Sequence, residues 1–169
     1  KIARDITDRK RVEYDLLVER DRSEFVRQSS GVGFWYCDLP FNVLTWDERV
    51  KAHFHLPSDA RVTIDAFYER LHPDDREPTR QAVERSIADR SSYDVHYRTV
   101  DPDTKEEKWI RAIGRTLYAE DGTPIQFNGV TLDVTAQKQS ERSLRASEAR
   151  HRLLAELAAA TQPLDDPDE

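Results

Sequence analysis

Five histidines, one cysteine and a dense set of carboxylates are the side chains here whose types could do acid–base, nucleophilic or metal chemistry. His53 and His55 stand two apart. On a helix such neighbours diverge, so their spacing does not suit a shared metal. His72 precedes Pro73 and reads as a turn residue, His96 as a solvent or interface residue of a strand, and His151 as a helix-face residue. Asp74 and Asp75 follow that turn and read as helix caps rather than as a catalytic or metal pair. Cys37, alone in the chain, cannot make an internal disulfide or by itself a zinc site. It reads as a small buried or edge hydrophobe in a reducing, cytoplasmic setting. There is no Gly-rich Lys phosphate loop, Gly-x-Ser-x-Gly elbow or His-Glu-x-x-His pair. Gly31-Val32-Gly33 lacks the third glycine of a dinucleotide loop. The expectation is a segment that is not an enzyme and has no metal site.

The elements that would carry these side chains follow from composition and period. The chain has 169 residues, 33 acidic against 26 basic, and a formal net charge of −7. No run of ten apolar residues occurs, which excludes a membrane span or signal peptide within the segment. The acidic balance argues against a nucleic-acid surface. All aromatic residues lie between Tyr14 and Phe127, enough to anchor one ordinary core between polar arms. Methionine is absent, even at position 1, so we expect a piece of a longer protein.

Residues 8 to 28 lack Gly and Pro and predict a helix with Tyr14, Leu17, Val18 and Phe25 near one face. Residues 32–38 and 43–46 read as strands around a Pro-Asn turn, and Asp47 caps a short helix through Phe54. Ile64, Phe67, Tyr68 and Leu71 have helical spacing. A further helix is expected over about 76–90, with Asp74 or Asp75 as cap, Pro78 in its first turn and Val83 and Ile87 inward. Tyr93, Val95, Tyr97 and Thr99 alternate with polar residues, as in a half-buried strand. Strands over 108–118 and 124–134 flank an Asp121-Gly122 hairpin, and a last helix covers 136–160. The implied class is α+β: a five-stranded antiparallel sheet with helices on one face, flanked by N- and C-terminal linker helices.

One internal similarity stands out. Asp5-Ile6-Thr7-Asp8-Arg9-Lys10 matches Asp133-Val134-Thr135-Ala136-Gln137-Lys138 at an offset of 128 residues. A period that long indicates tandem domains rather than a solenoid.

Several pieces, in this order, resemble a PAS domain of bacterial sensory proteins. They are Gly33-Phe34-Trp35-Tyr36-Cys37-Asp38, His72-Pro73-Asp74-Asp75-Arg76, Tyr97-Arg98, Trp109-Ile110-Arg111, Asp121-Gly122, Gly129, and the C-terminal Asp133-Val134-Thr135 (PAC-type) motif. The resemblance covers residues 30–135. It implies that 1–29 hold the end of a preceding PAS domain and a linker helix, and that 136–169 hold a linker helix leading to a further sensor or output module. His55 stands where the family usually has glycine, and Asp103-Thr104 replaces the usual Asp-Gly hairpin.

The resemblance implies a sensory and signal-relay module of a cytoplasmic signalling protein, with a histidine kinase of a two-component system as the favoured whole. It would dimerise in parallel through its linker helices and work beside PAS, GAF and kinase modules of the same chain. Trp35, Asp38, Asp133, Val134 and Thr135 are the expected relay residues, with Trp35 and Asp38 near Asp133 on the adjoining strand. Haem-holding relatives use a histidine, and LOV-type flavin relatives a cysteine, on the central helix. Arg76 to Arg90 contain neither, so no haem or flavin is expected. His151 lacks the following acidic residue and nearby proline of a kinase phosphoacceptor. Phe54, Phe67, Leu71, Val95, Tyr97 and Ile113 are candidates to line a cavity between helices and sheet. The alternative function is therefore a receptor holding a small organic ligand there.

Overall fold

A computed structural model describes residues 31–160, with side chains through residue 157. The helix expected over 8–28 and the exit of a preceding domain lie outside the described residues. The chain divides after Asp133 into two units.

In the first unit, strands β1 (Gly33–Asp38) and β2 (Val43–Trp46) form a hairpin. Three helices follow: α1 (Glu48–His53), α2 (Ile64–Arg70) and α3 (Pro73–Asp89). Then come β3 (Tyr93–Val100), β4 (Glu107–Tyr118) and β5 (Pro124–Asp133). All pairings are antiparallel, in the order β2-β1-β5-β4-β3. The three consecutive antiparallel strands expected between residues 93 and 134 are therefore present. The closing strand β5 lies at the sheet's centre, because β1 pairs with its free edge.

Register explains which side chains enter the core. Residues directly opposite share a face. One row runs Trp46, Trp35, Gly129, Gly114, Tyr93 through all five strands, and the next runs Gly33, Thr131, Ala112, Val95 through four. The buried residues of the sheet lie on this face, against the helices. Trp35 needs the two glycines beside it. A Cβ on Gly114 would lie 2.8 Å from the indole, and one on Gly129 would overlap both the indole and the carbonyl of Ile113. With no side chain in the middle of the row, the indole lies flat across the sheet and meets Phe127 at 4.9 Å and Tyr93 at 6.4 Å.

Caps place the helices. Asp47 accepts from Val50 N–H (2.8 Å) with one oxygen and from Phe34 N–H (2.9 Å) with the other. It thus starts α1 and ties it to β1. Thr63 caps α2 by accepting from Ala66 N–H. The expectation for α3 needs correction. It begins at Pro73, not near 76, and its cap is His72, whose Nδ1 accepts from Asp74 N–H at 3.2 Å. Neither Asp74 nor Asp75 is the cap, and Pro78 sits in the second turn. Asp75 instead grips Arg98 of β3, with a bidentate pair at 2.9 and 2.7 Å and a third bond from Arg98 N–H at 2.8 Å. Burial alone would push this carboxyl up; its bonds to Arg98 outweigh burial and hold it below the usual carboxylate range.

His55 and Lys105 adopt left-handed backbone, with φ of 55° and 62°. His55 is the position where a glycine had been expected, and Lys105 follows the Asp103-Thr104 substitution. Both departures thus fall at turns that glycine makes at lower cost.

The second unit is α4 (Thr135–Ala160), a helix of 26 residues. Lys138 N–H donates to Val134 O, closing its first turn.

Candidate functional site

Residues of α1, α2, α3 and the sheet surround an apolar cavity of about 50 Å³. Phe54 of the α1 C-cap, Phe67 of α2 and Tyr97 of β3 line it, as expected, and the three rings lie within 6.0 Å of one another, centroid to centroid. Leu71, Val95 and Ile113 do not line it. Leu71 is fully buried but bridges to Thr99 at the sheet's edge. Val95 is partly buried and packs against the core. Ile113 pairs with Asp94 and Val130 and so shares their face, opposite to that of Ala112. An even–odd slip in assigning β4 separates that expectation from the structure.

Sequence reasoning missed Trp46, Phe127 and Thr131 as lining residues. Each lies on the strand face that includes Trp35 or Gly33, so the strand period held the signal once pairing was known. The lining has no charged group. The lining residues that carry a polar side-chain atom are Trp35, Trp46, Cys37, Tyr68, Tyr93, Tyr97 and Thr131. Burial pushes the Cys37 thiol up to about 11, with Asp38 adding to the effect, so it stays protonated and inert at neutral pH. Burial also raises both Tyr93 and Tyr97.

Size decides what such a cavity takes. A benzene ring fills a cavity of about 150 Å³. Haem and flavin are larger still. The lining includes no imidazole, and α3 carries neither histidine nor cysteine. Among the described residues no group of three His, Cys, Asp or Glu could hold a metal ion, and no helix is long and apolar enough to cross a membrane.

Beside the cavity lies a buried polar joint. His53 Nδ1 is 2.9 Å from Thr131 Oγ1, and the Thr99 hydroxyl donates to His53 O at 2.7 Å. All three residues are buried. Neither threonine was expected to do anything.

Of the expected relay residues, Trp35 is at the sheet's middle, opposite Gly129, and Asp133 is the last residue of β5, opposite Ile110. Asp38 is opposite Gln126 and accepts from its Nε2 at 3.3 Å. It sits seven positions down β5 from Asp133, so the expected proximity does not hold. Val134 is the single residue between β5 and α4, and Thr135 opens the helix.

A five-stranded sheet in the order 2-1-5-4-3, with helices over one face and an aromatic cavity beneath them, defines a class. The family described as PAS fold matches residues 43–131, just over half of the chain. This chain belongs to that family. It is 34% identical over 122 residues to the Sensor protein FixL of Bradyrhizobium diazoefficiens, covering 72% of this chain and 24% of that protein. It is 25% identical over 140 residues to the probable diguanylate cyclase DgcE of Escherichia coli K12, covering 83% of this chain and 12% of that protein. A crystal structure of a sensory box histidine kinase/response regulator from Burkholderia thailandensis superposes with a TM-score of 0.66 at 26% identity, covering 78% of this chain and 98% of that one. The chain spans a quarter or less of the length of these curated relatives.

Proposed function

We propose that this PAS domain is a sensory and relay module of a larger signalling protein, with a histidine kinase as the favoured whole, and that it performs no catalysis itself. The observation that carries this reading is the place of β5. It is bonded on both sides, by β1 and β4, and one residue of chain separates it from a 26-residue helix. A change in sheet packing would reach the start of α4 along this short connection, and in this reading Asp133, Val134 and Thr135 transmit it. The named relatives, a sensor protein and a probable diguanylate cyclase, favour a signalling role. In this reading residues 1–29 carry the end of a preceding PAS domain and its linker, residues 30–135 the sensor, and residues 136–169 the linker to a further sensor, GAF or output module. The setting is cytoplasmic and the partner is a second copy, aligned in parallel through the linker helices. Haem and flavin play no part in it.

The test is Asp133→Ala in the full-length protein. The expected result is an altered output, read as kinase or cyclase activity, with circular dichroism and urea midpoint preserved to within about 0.5 kcal/mol, as for an exposed position. An output unchanged by the substitution would count against the relay.

The cavity favours a second reading, a receptor for a small organic molecule. Its wall selects an uncharged ligand of a few heavy atoms, since a charged group would be buried without a partner. Native mass spectrometry of the purified chain distinguishes the two: retained mass supports the receptor, and a bare chain supports the relay with a filled core.

A further inference from the structure

We propose that the segment from His53 to His55 is an acid-released latch: it holds Phe54 in the core at neutral pH and lets it go when the two imidazoles take up protons.

Phe54 is the keystone of the cavity wall. It is 1% exposed, and its ring lies 4.5 Å from Trp46, 5.6 Å from Phe67 and 5.9 Å from Tyr97. The residues on either side of it are histidines whose side chains are both buried. His53 is 5% exposed and is held between strands by Thr131 and Thr99. The His55 side chain is also 5% exposed, and its Nε2 is buried with no hydrogen-bond partner. The backbone at His55 is left-handed, with φ of 55°, a conformation that strains a residue other than glycine. The segment is thus held by burial against local strain.

A proton on either ring puts a charge where the surroundings give it little support. Around His53 stand Asp47 and Arg49 from α1 and its cap, Lys108 from β4 and Asp133 from β5. Two acids and two bases offset one another, which leaves burial to lower the imidazole below its ordinary value. Protonated Nδ1 would still donate to Thr131, but one neutral hydroxyl does not replace the lost hydration. Around His55 stand Lys108, Asp101 and Glu106, with Arg70 donating to its carbonyl. Asp101 is 3.7 Å from Nδ1. Here too burial, with Lys108, outweighs the acids and a hydrogen bond to the Thr99 backbone and lowers the ring. The sign follows. Both groups bind protons more weakly folded than unfolded, so the segment is fully held above the ordinary value of 6.5 and progressively released as pH falls below it. Release withdraws Phe54 and enlarges the cavity by the volume of a ring, so the acid form would admit molecules that the neutral form excludes.

Hydrogen exchange on the 169-residue chain tests this. The reporters are the Phe54, His55 and Leu56 amides, which bond to Val50, Ala52 and Lys51 carbonyls, and the Tyr97 and Ile110 amides serve as sheet controls. Between pH 7.5 and 5, protection factors of the reporters are expected to fall at least tenfold while the controls hold. His53→Asn keeps a group able to bond Thr131 without titrating, and His55→Asn tolerates the left-handed backbone; the double variant should show no pH dependence at the reporters. Reporters that stay protected at pH 5, sheet amides that lose protection in step with them, or a double variant with the wild-type pH response would each overturn the latch. Should the variants not fold, the imidazole titrations in the unmodified chain decide: both below 6.5 supports it, and either at or above 6.5 refutes it.

Discussion

Gly129 shows how one missing side chain sets the core. It pairs with Trp35 on one side and Gly114 on the other, and the indole occupies the space that their side chains would fill. A methyl group at Gly129 meets the Ile113 carbonyl and the indole together, and backbone cannot step aside as a side chain can. Gly129→Ala should therefore destabilise by about 2–4 kcal/mol, the range of an overpacked core with displaced backbone. Urea unfolding followed by tryptophan fluorescence checks it, and a loss under 1 kcal/mol would show that Trp35 moves freely. Arg98 is a second case at this scale. It bonds Asp75 through backbone and guanidinium and also lies over the Trp109 ring at 5.5 Å. One residue thus fastens the first turn of α3 to β3.

Elements are held mainly at their ends. α1 has six residues, too few to persist by propensity. Asp47 gives it a cap and a bond to β1 from the same carboxylate, and Lys108 Nζ donates to Ala52 O at its other end. Asp47→Ala removes both carboxylate bonds and leaves Phe34 N–H without its acceptor. We expect a loss of about 1–3 kcal/mol by thermal or urea unfolding, the sum of a cap and a part-buried bond. Asp47→Asn, which can still cap, should recover roughly half. Because α1 delivers His53 and Phe54, the same variant should also expose the cavity wall, visible as a red shift in tryptophan emission from Trp46.

At the scale of the whole molecule, α4 carries several exposed leucines. Leu144, Leu153, Leu154 and Leu157 are all more than half exposed. Leu144 and Leu154 share the face expected from helical period with His151, whereas Leu153 falls on nearly the opposite side of the helix and Leu157 between the two. A face of this kind suits the proposed parallel dimer, and polar Ser140, Ser147 and His151 in the seam keep it weak. Light scattering at micromolar concentration should report a dimer, and replacing Leu144 and Leu154 together by Asp should give a monomer with an unchanged sheet. A monomer in the unmodified chain would sink the dimer.

The sequence alone determined the elements and most of their order, because periods of 2 and 3.6, Asp47 as a cap and the Asp121-Gly122 turn are local properties. It also identified the aromatic wall of Phe54, Phe67 and Tyr97, since large rings at inward positions have few other places to go. Pairing was decided only in three dimensions. Whether Ile113 or Ala112 faces the helices depends on a register set by β3 and β5 together, and one residue of slip reverses it. The distance from Asp38 to Asp133 depends on how β1 slides along β5. The cap of α3 went to His72 because Asp75 found a stronger partner in Arg98, 23 residues away. The His53–Thr131 joint likewise spans 78 residues, and contacts at such separations leave no mark in local composition.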